Sequence, residues 1–245
     1  MTRTHRIARH LLLALGSLSA AVFAQPDLSG IWFPAGGIAG RNPDEYPFNE
    51  AAKKLYEDYV AAFTTEDDPG GWCVVPGLPR SIWGAPFPVE IMQTDEFITM
   101  FWEGYYQYRK IYMEGYPRPE PLIPTGMGYS VGHWEGDTLV IETSLLKEYP
   151  YMRRLPNTDS ARTVERITVE ERPNAEGVMT KYLTNELTLI DERLYTEPFT
   201  VTGTLRWAPE TQILEYSCSE SIYDDYLAGK GLQVPDLSTL PPAAE

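Results

Sequence analysis

Histidine and cysteine are scarce in this 245-residue chain, three of one and two of the other. Two of the histidines, His5 and His10, fall in the opening segment, which leaves His133 alone for the rest. Zinc, copper and non-haem iron sites draw on several imidazoles or thiolates, so no metal is expected. Calcium finds no spaced Asp-x-Asp-x-Asp loop either. Also missing are G-x-x-x-x-G-K-[ST] and G-x-G-x-x-G, the glycine loops that cradle nucleotide phosphates; no cofactor is expected. Positive charge is short as well: 20 Lys+Arg against 35 Asp+Glu give a net charge of -15. A field of that sign repels phosphate backbones and anionic lipid heads, which removes nucleic acid and membrane surfaces as partners. The one early apolar run falls short of the roughly 20 residues that a bilayer-spanning helix needs.

What the first residues do contain is an export pattern. Arg3, His5, Arg6 and Arg9 precede the apolar Leu11-Leu12-Leu13-Ala14-Leu15, and Val22-Phe23-Ala24 closes the segment before Gln25. Charged, apolar and small-residue regions in that order make a secretory signal. Cleavage after Ala24 is expected, giving a periplasmic or secreted product; an uncleaved membrane anchor is the alternative. Loss of the three arginines deepens the charge to -18, from 17 basic against 35 acidic residues. In an oxidising compartment thiols pair, so Cys73 and Cys218 are read as one disulfide, worth about 2–4 kcal/mol through restriction of the unfolded chain. Two buried free thiols or one reactive cysteine are the other readings.

Beyond the signal at 1–24, the pattern divides into an irregular segment at 25–88 with one helix, a β region at 89–228 and a flexible Pro- and Ala-containing tail at 229–245. The helix is expected over Asn49–Phe63, with Asn49 as cap and Leu55, Tyr59 and Phe63 on one face. From Val89 the period becomes two, and strands are predicted near Val89–Gln93, Phe97–Trp102, Tyr105–Tyr112, Ser130–Trp134, Thr138–Ser144, Thr163–Glu171, Val178–Ile190, Thr200–Trp207 and Gln212–Ser219. Tight links such as Glu103-Gly104 and Gly136-Asp137 suit antiparallel hairpins. The fold class is therefore mostly β, an antiparallel up-and-down barrel of the calycin or lipocalin kind, with a two-sheet sandwich as its rival.

Gly128-Tyr129-Ser130-Val131-Gly132 spells G-x-S-x-G, with His133 next to it. A nucleophile elbow needs a strand, a sharp turn and then a helix, whereas His133-Trp134-Glu135-Gly136-Asp137-Thr138 continues as a hairpin, so a Ser130 hydrolase is set aside. The richest segment is Tyr105-Tyr106-Gln107-Tyr108-Arg109-Lys110-Ile111-Tyr112. As a strand it divides into a Tyr106, Tyr108, Lys110, Tyr112 face and a Tyr105, Gln107, Arg109, Ile111 face. If the Arg109 face looks inward, the guanidinium needs a carboxylate partner or an anionic ligand. Glu142, Glu165, Glu170, Glu186 and Glu215 interrupt later apolar runs and are candidates, as is Arg166; the plain alternative is that they are solvated outer faces.

The stretch Arg109-x-Ile111-Tyr112-x-x-Gly115-x-Pro117-x-Pro119, followed by Ser130-x-Gly132-x-Trp134-Glu135-Gly136-Asp137-Thr138-Leu139-Val140-x-Glu142-Thr143, resembles a widespread and largely uncharacterised family of exported bacterial proteins. Asp27 to Trp32, Cys73 to Arg80, Val164-Glu165-Arg166 and Glu215-Tyr216-x-Cys218 extend the resemblance over most of the chain. That family often carries histidine at the positions of Arg118 and Tyr129, so the resemblance implies a diverged ligand or chemistry here.

Two functions follow as expectations. The first is a cofactor-independent lyase, decarboxylase or isomerase acting on an aromatic, phenolic acid inside the barrel, similar in architecture to the small phenolic-acid decarboxylase barrels. Arg109 would hold the carboxylate and Tyr105 or Tyr108 the phenol, while His133 or Glu186 would move the proton. The second is a non-catalytic periplasmic binding protein for an apolar or aromatic small molecule. A structural or interaction role comes third, and a homo-oligomer stays open throughout.

Overall fold

The computed structural model describes residues 25–37, 40, 42–83, 87–216 and 221–241. The expected signal at 1–24, with His5 and His10, lies outside them, as does Cys218.

Among the described residues nine strands close into one barrel in chain order: β1 (Gly30–Pro34), β2 (Val89–Gln93), β3 (Phe97–Trp102), β4 (Gln107–Met113), β5 (Tyr129–Glu135), β6 (Thr138–Ser144), β7 (Arg162–Pro173), β8 (Met179–Ile190) and β9 (Phe199–Trp207). Alternation builds the wall. In β3, Ile98, Met100 and Trp102 are buried, while Phe97, Thr99 and Phe101 between them are half-exposed. In β8, Leu183, Asn185, Leu187 and Leu189 point inward, as a period of two requires.

Two features depart from the up-and-down expectation. The strand that closes the ring, β1, comes from the segment read as irregular; it pairs antiparallel with β2 and, through Trp32↔Trp207, with β9. Only Gly30–Pro34 contributes, too short a run among Pro and Gly to show a period. The other departure is that β4 and β5 run parallel, paired only through Ile111↔Ser130, Tyr112↔Val131 and Met113↔Gly132. A parallel joint demands a long crossover rather than a hairpin, and the connection from Glu114 to Gly128 supplies it. Pro117, Pro119, Pro121 and Pro124 hold that connection extended and out of the ladder.

Helix α1 (Glu50–Ala62) is capped as expected, with Asn49 Oδ1 accepting from the Ala52 N–H at 2.9 Å. It packs through Tyr59 and Phe63, whose rings stack at 4.2 Å. A second helix, α2 (Ser221–Lys230), stands after the expected strand Gln212–Ser219; residues 212–216 of that strand are irregular and the rest lie outside the described residues. The tail read as flexible is packed as far as it is described: Leu237 and Leu240 are buried, and Arg193 Nη2 donates to their carbonyls at 3.2 and 3.3 Å. Few apolar residues in a Pro-rich context hid this.

Candidate functional site

Period two sends Gln107, Arg109 and Ile111 into the barrel and Tyr108, Lys110 and Tyr112 outward. Arg109 is 1% exposed and has found its carboxylate: Nη2 pairs with Glu165, itself fully buried on β7. The same Nη2 donates to Thr143 Oγ1 at 2.8 Å, and Nε donates to Ser130 Oγ at 3.0 Å. Asn185 Nδ2 donates to the other Glu165 oxygen at 2.7 Å. Five strands are thus tied by one polar layer through the barrel. Ser130, the serine of the G-x-S-x-G pattern, lies mid-strand and fully buried, with Arg109 and Thr143 as partners.

This layer leaves little room for a substrate. The void lined by Asn185, Trp102, Ile167 and their neighbours measures about 10 Å³, at most the space of one water. Arg109 therefore holds the wall together from within.

The proton carriers expected from sequence sit elsewhere. His133 lies on the outer face of β5, with Nε2 3.4 Å from Glu135. Register carries a row across the outside from His133 to Val140, Arg166 and Glu186. Three strand spacings separate His133 from Glu186, about 14 Å. Glu186 is exposed, and no fold of the wall brings either residue to Arg109.

A cavity does open beside β4, as a groove of about 520 Å³ between that strand and the Glu114–Gly128 connection. Tyr106, Tyr108, Tyr112, Tyr129, Leu122 and Ile123 form its walls, with Tyr105 at one end and Arg109 in its floor. Both faces of β4 contribute, so the groove follows the strand's edge. The connection stays off that edge because its backbone is committed elsewhere: the Thr125 N–H donates to the Leu145 carbonyl at 3.1 Å, and the Leu78 N–H to that of Gly126 at 2.8 Å. Gly128 completes the return at φ 65, where a Cβ would stand 2.5 Å from the Ser144 carbonyl oxygen; only glycine suits both the angle and the approach.

Tyr108 is 56% and Ile123 70% exposed, an apolar surface that water covers poorly. No Asp or Glu lines the groove. Arg118 stands at its rim, 5.5 Å from the Tyr129 ring. At the other end Tyr105 and Tyr106 take φ 62 and 49, which ends β4 at Gln107 rather than Tyr105. Burial pushes the Tyr105 hydroxyl well above its ordinary range, reinforced by the neighbouring Tyr216. That hydroxyl donates to the Gly70 carbonyl.

Leu122, Ile123 and Pro121 of the groove's outer wall were not singled out in the sequence, and Pro119 entered only through the resemblance. Their signal was the proline spacing between the two β patterns, which marks a chain that cannot join the ladder. Comparison with known proteins brings no match to a family model and none to a curated protein.

Proposed function

We propose that this chain is a binding protein that holds an aromatic or carboxylate-bearing small molecule in the β4 groove without transforming it. One observation carries the reading: the groove gathers Tyr105 and Tyr108, two of the residues expected to hold a ligand, and excludes His133 and Glu186, those expected to move its proton. Its volume of about 520 Å³ is in the range of pockets that take small organic molecules. Tyrosine rings offer stacking surfaces and hydroxyl donors. The absence of carboxylates from its lining in so acidic a chain favours an anionic or neutral guest. A lyase within the barrel, the rival, requires a substrate beside Arg109, where Glu165 already sits.

The working form in this proposal is exported, begins at Gln25 and carries a Cys73–Cys218 bond. Titration of the purified protein with a panel of aromatic carboxylic acids, followed by thermal shift, tests the binding. Saturable stabilisation by at least one acid is expected, with the acid recovered unchanged, because a ligand of the native state raises the melting temperature by mass action. Tyr108→Ala should weaken that binding about tenfold by removing a stacking wall. Conversion of a bound acid to product would return the choice to the lyase, and a panel without a single binder would remove the groove as a small-molecule site.

A further inference from the structure

β4 is paired along its whole length on one side only. Residues Gln107 to Tyr112 all have partners on β3, whereas β5 begins at Ile111↔Ser130. Which backbone groups this leaves open follows from alternation. The Met113 N–H turns to the β3 side and donates to the Glu96 carbonyl, while the Glu114 N–H turns to the β5 side and donates to that of Gly132. Successive residues of a strand alternate in this respect, so even-numbered amides face β5. Counted back along β4, the N–H of Lys110 and both the N–H and C=O of Tyr108 face the groove. Among the described residues none hydrogen-bonds to them, since the returning connection is bonded to Leu145, Lys147 and Leu78.

An open strand edge is a template for another strand, and folded proteins usually guard it with bulges, prolines or a projecting charge. Here the one charge on the outer face of this stretch is Lys110, and its ammonium is turned away over the Phe97 ring at 3.7 Å. We propose that the ligand of this groove is a short extended peptide, added to β4 as an extra strand. The proposal rests on the groove being the binding site and names the class of molecule that fills it. Three backbone groups on two residues two positions apart match the repeat of an extended chain, and a single planar acid cannot satisfy all of them. The unpaired stretch admits about four residues at ~3.3 Å each. A lining without Asp or Glu, with Arg118 at its rim, selects a neutral or acidic peptide with aromatic or apolar side chains and works against a basic one.

The experiment uses the full mature chain and an end-capped tetrapeptide of alternating Tyr and Val with one Glu, methylated singly at each backbone nitrogen. Calorimetry should find the unmethylated peptide bound more tightly than the free aromatic acids. A methyl group on the one amide that donates to the Tyr108 carbonyl should weaken binding about tenfold, the worth of a hydrogen bond, and methyl groups on amides facing away from β4 should leave it unchanged. A lysine in place of the Glu should bind more weakly. Equal tolerance of methylation at every amide, with the acids still binding, would overturn the strand addition and leave the groove as a small-molecule site. If neither peptide nor acid binds, both readings fall.

Lys110→Pro removes one groove-facing N–H without touching the bonds to β3, and Lys110→Ala is its control. The proline variant alone should lose peptide affinity; should it fail to fold, the methylated series on the unaltered protein decides. A chain that sediments as a dimer and becomes monomeric on Lys110→Pro would show the edge taken by a second copy, against the proposal.

Discussion

Arg109 shows how a residue noticed for its chemistry serves the fold. Its guanidinium and Glu165 are both at most 1% exposed, and removing one partner of such a pair strands a charge at a cost of about 3–5 kcal/mol. Glu165→Leu should therefore lower the unfolding free energy by about that amount in urea denaturation. Adding Arg109→Met to Glu165→Leu should recover most of it, since paired apolar replacements of buried ions are often neutral. A double variant no more stable than the single would mean that Ser130, Thr143 and Asn185 depend on the charges for their order. The need for a carboxylate partner was legible in sequence, because Tyr105–Tyr112 alternates and an inward Arg must be paired. Its identity was not. Glu165, Glu170 and Glu186 look alike along the chain, and only the β6–β7 register, which opposes Ile141 to Glu165, puts one of them inside.

At the level of elements, α2 is fastened by one carboxylate. Asp67, buried, accepts from Lys230 Nζ and Tyr226 Oη at 2.7 Å each, and from the Thr64 N–H and hydroxyl at 2.7 and 2.8 Å. The Tyr223 hydroxyl reaches the Asp67 carbonyl, and the Tyr226 ring stacks on Trp72 at 3.7 Å. Burial alone would raise the Asp67 carboxyl, but the bonds from Lys230, Thr64 and Tyr226 outweigh it and hold the group well below the ordinary carboxylate range. A carboxyl lowered by folding contributes stability that is complete above its unfolded value, about 3.9, and lost as pH falls through the folded one. The protection of α2 against hydrogen exchange, taken relative to the intrinsic amide rate at each pH, should thus be flat from neutral pH down to about 4 and fall below it. Asp67→Asn should bring that loss of protection to neutral pH, and equal protection in both proteins would refute the fastening. Strand positions from β2 to β9 were readable because alternation and turn residues are local. This clasp was not, for it joins residues separated by most of the chain.

For the molecule as a whole, export, cleavage and the disulfide make one prediction. The intact mass of the protein recovered outside the cytoplasm should correspond to a chain beginning at Gln25, and only after reduction should it gain the hydrogens of two thiols. A mass that includes residues 1–24 would mean an uncleaved anchor, and one unaltered by reduction would mean that Cys73 and Cys218 are not joined. The barrel itself was legible in kind, since short alternating strands with hairpin links must close or stack; its parallel joint was not, because proline-rich connections do not disclose where they return. The closing contact, Trp32 on β1 against Trp207 on β9, has a consequence in time. A chain that emerges from its N-terminus shows β1 first and must wait for nearly all the rest before that strand has a second neighbour. Until then two unpaired edges face the surroundings, and closure over so long a loop is intrinsically slow. The interval between emergence and ring closure is when the edges of this first strand stand open to wrong partners.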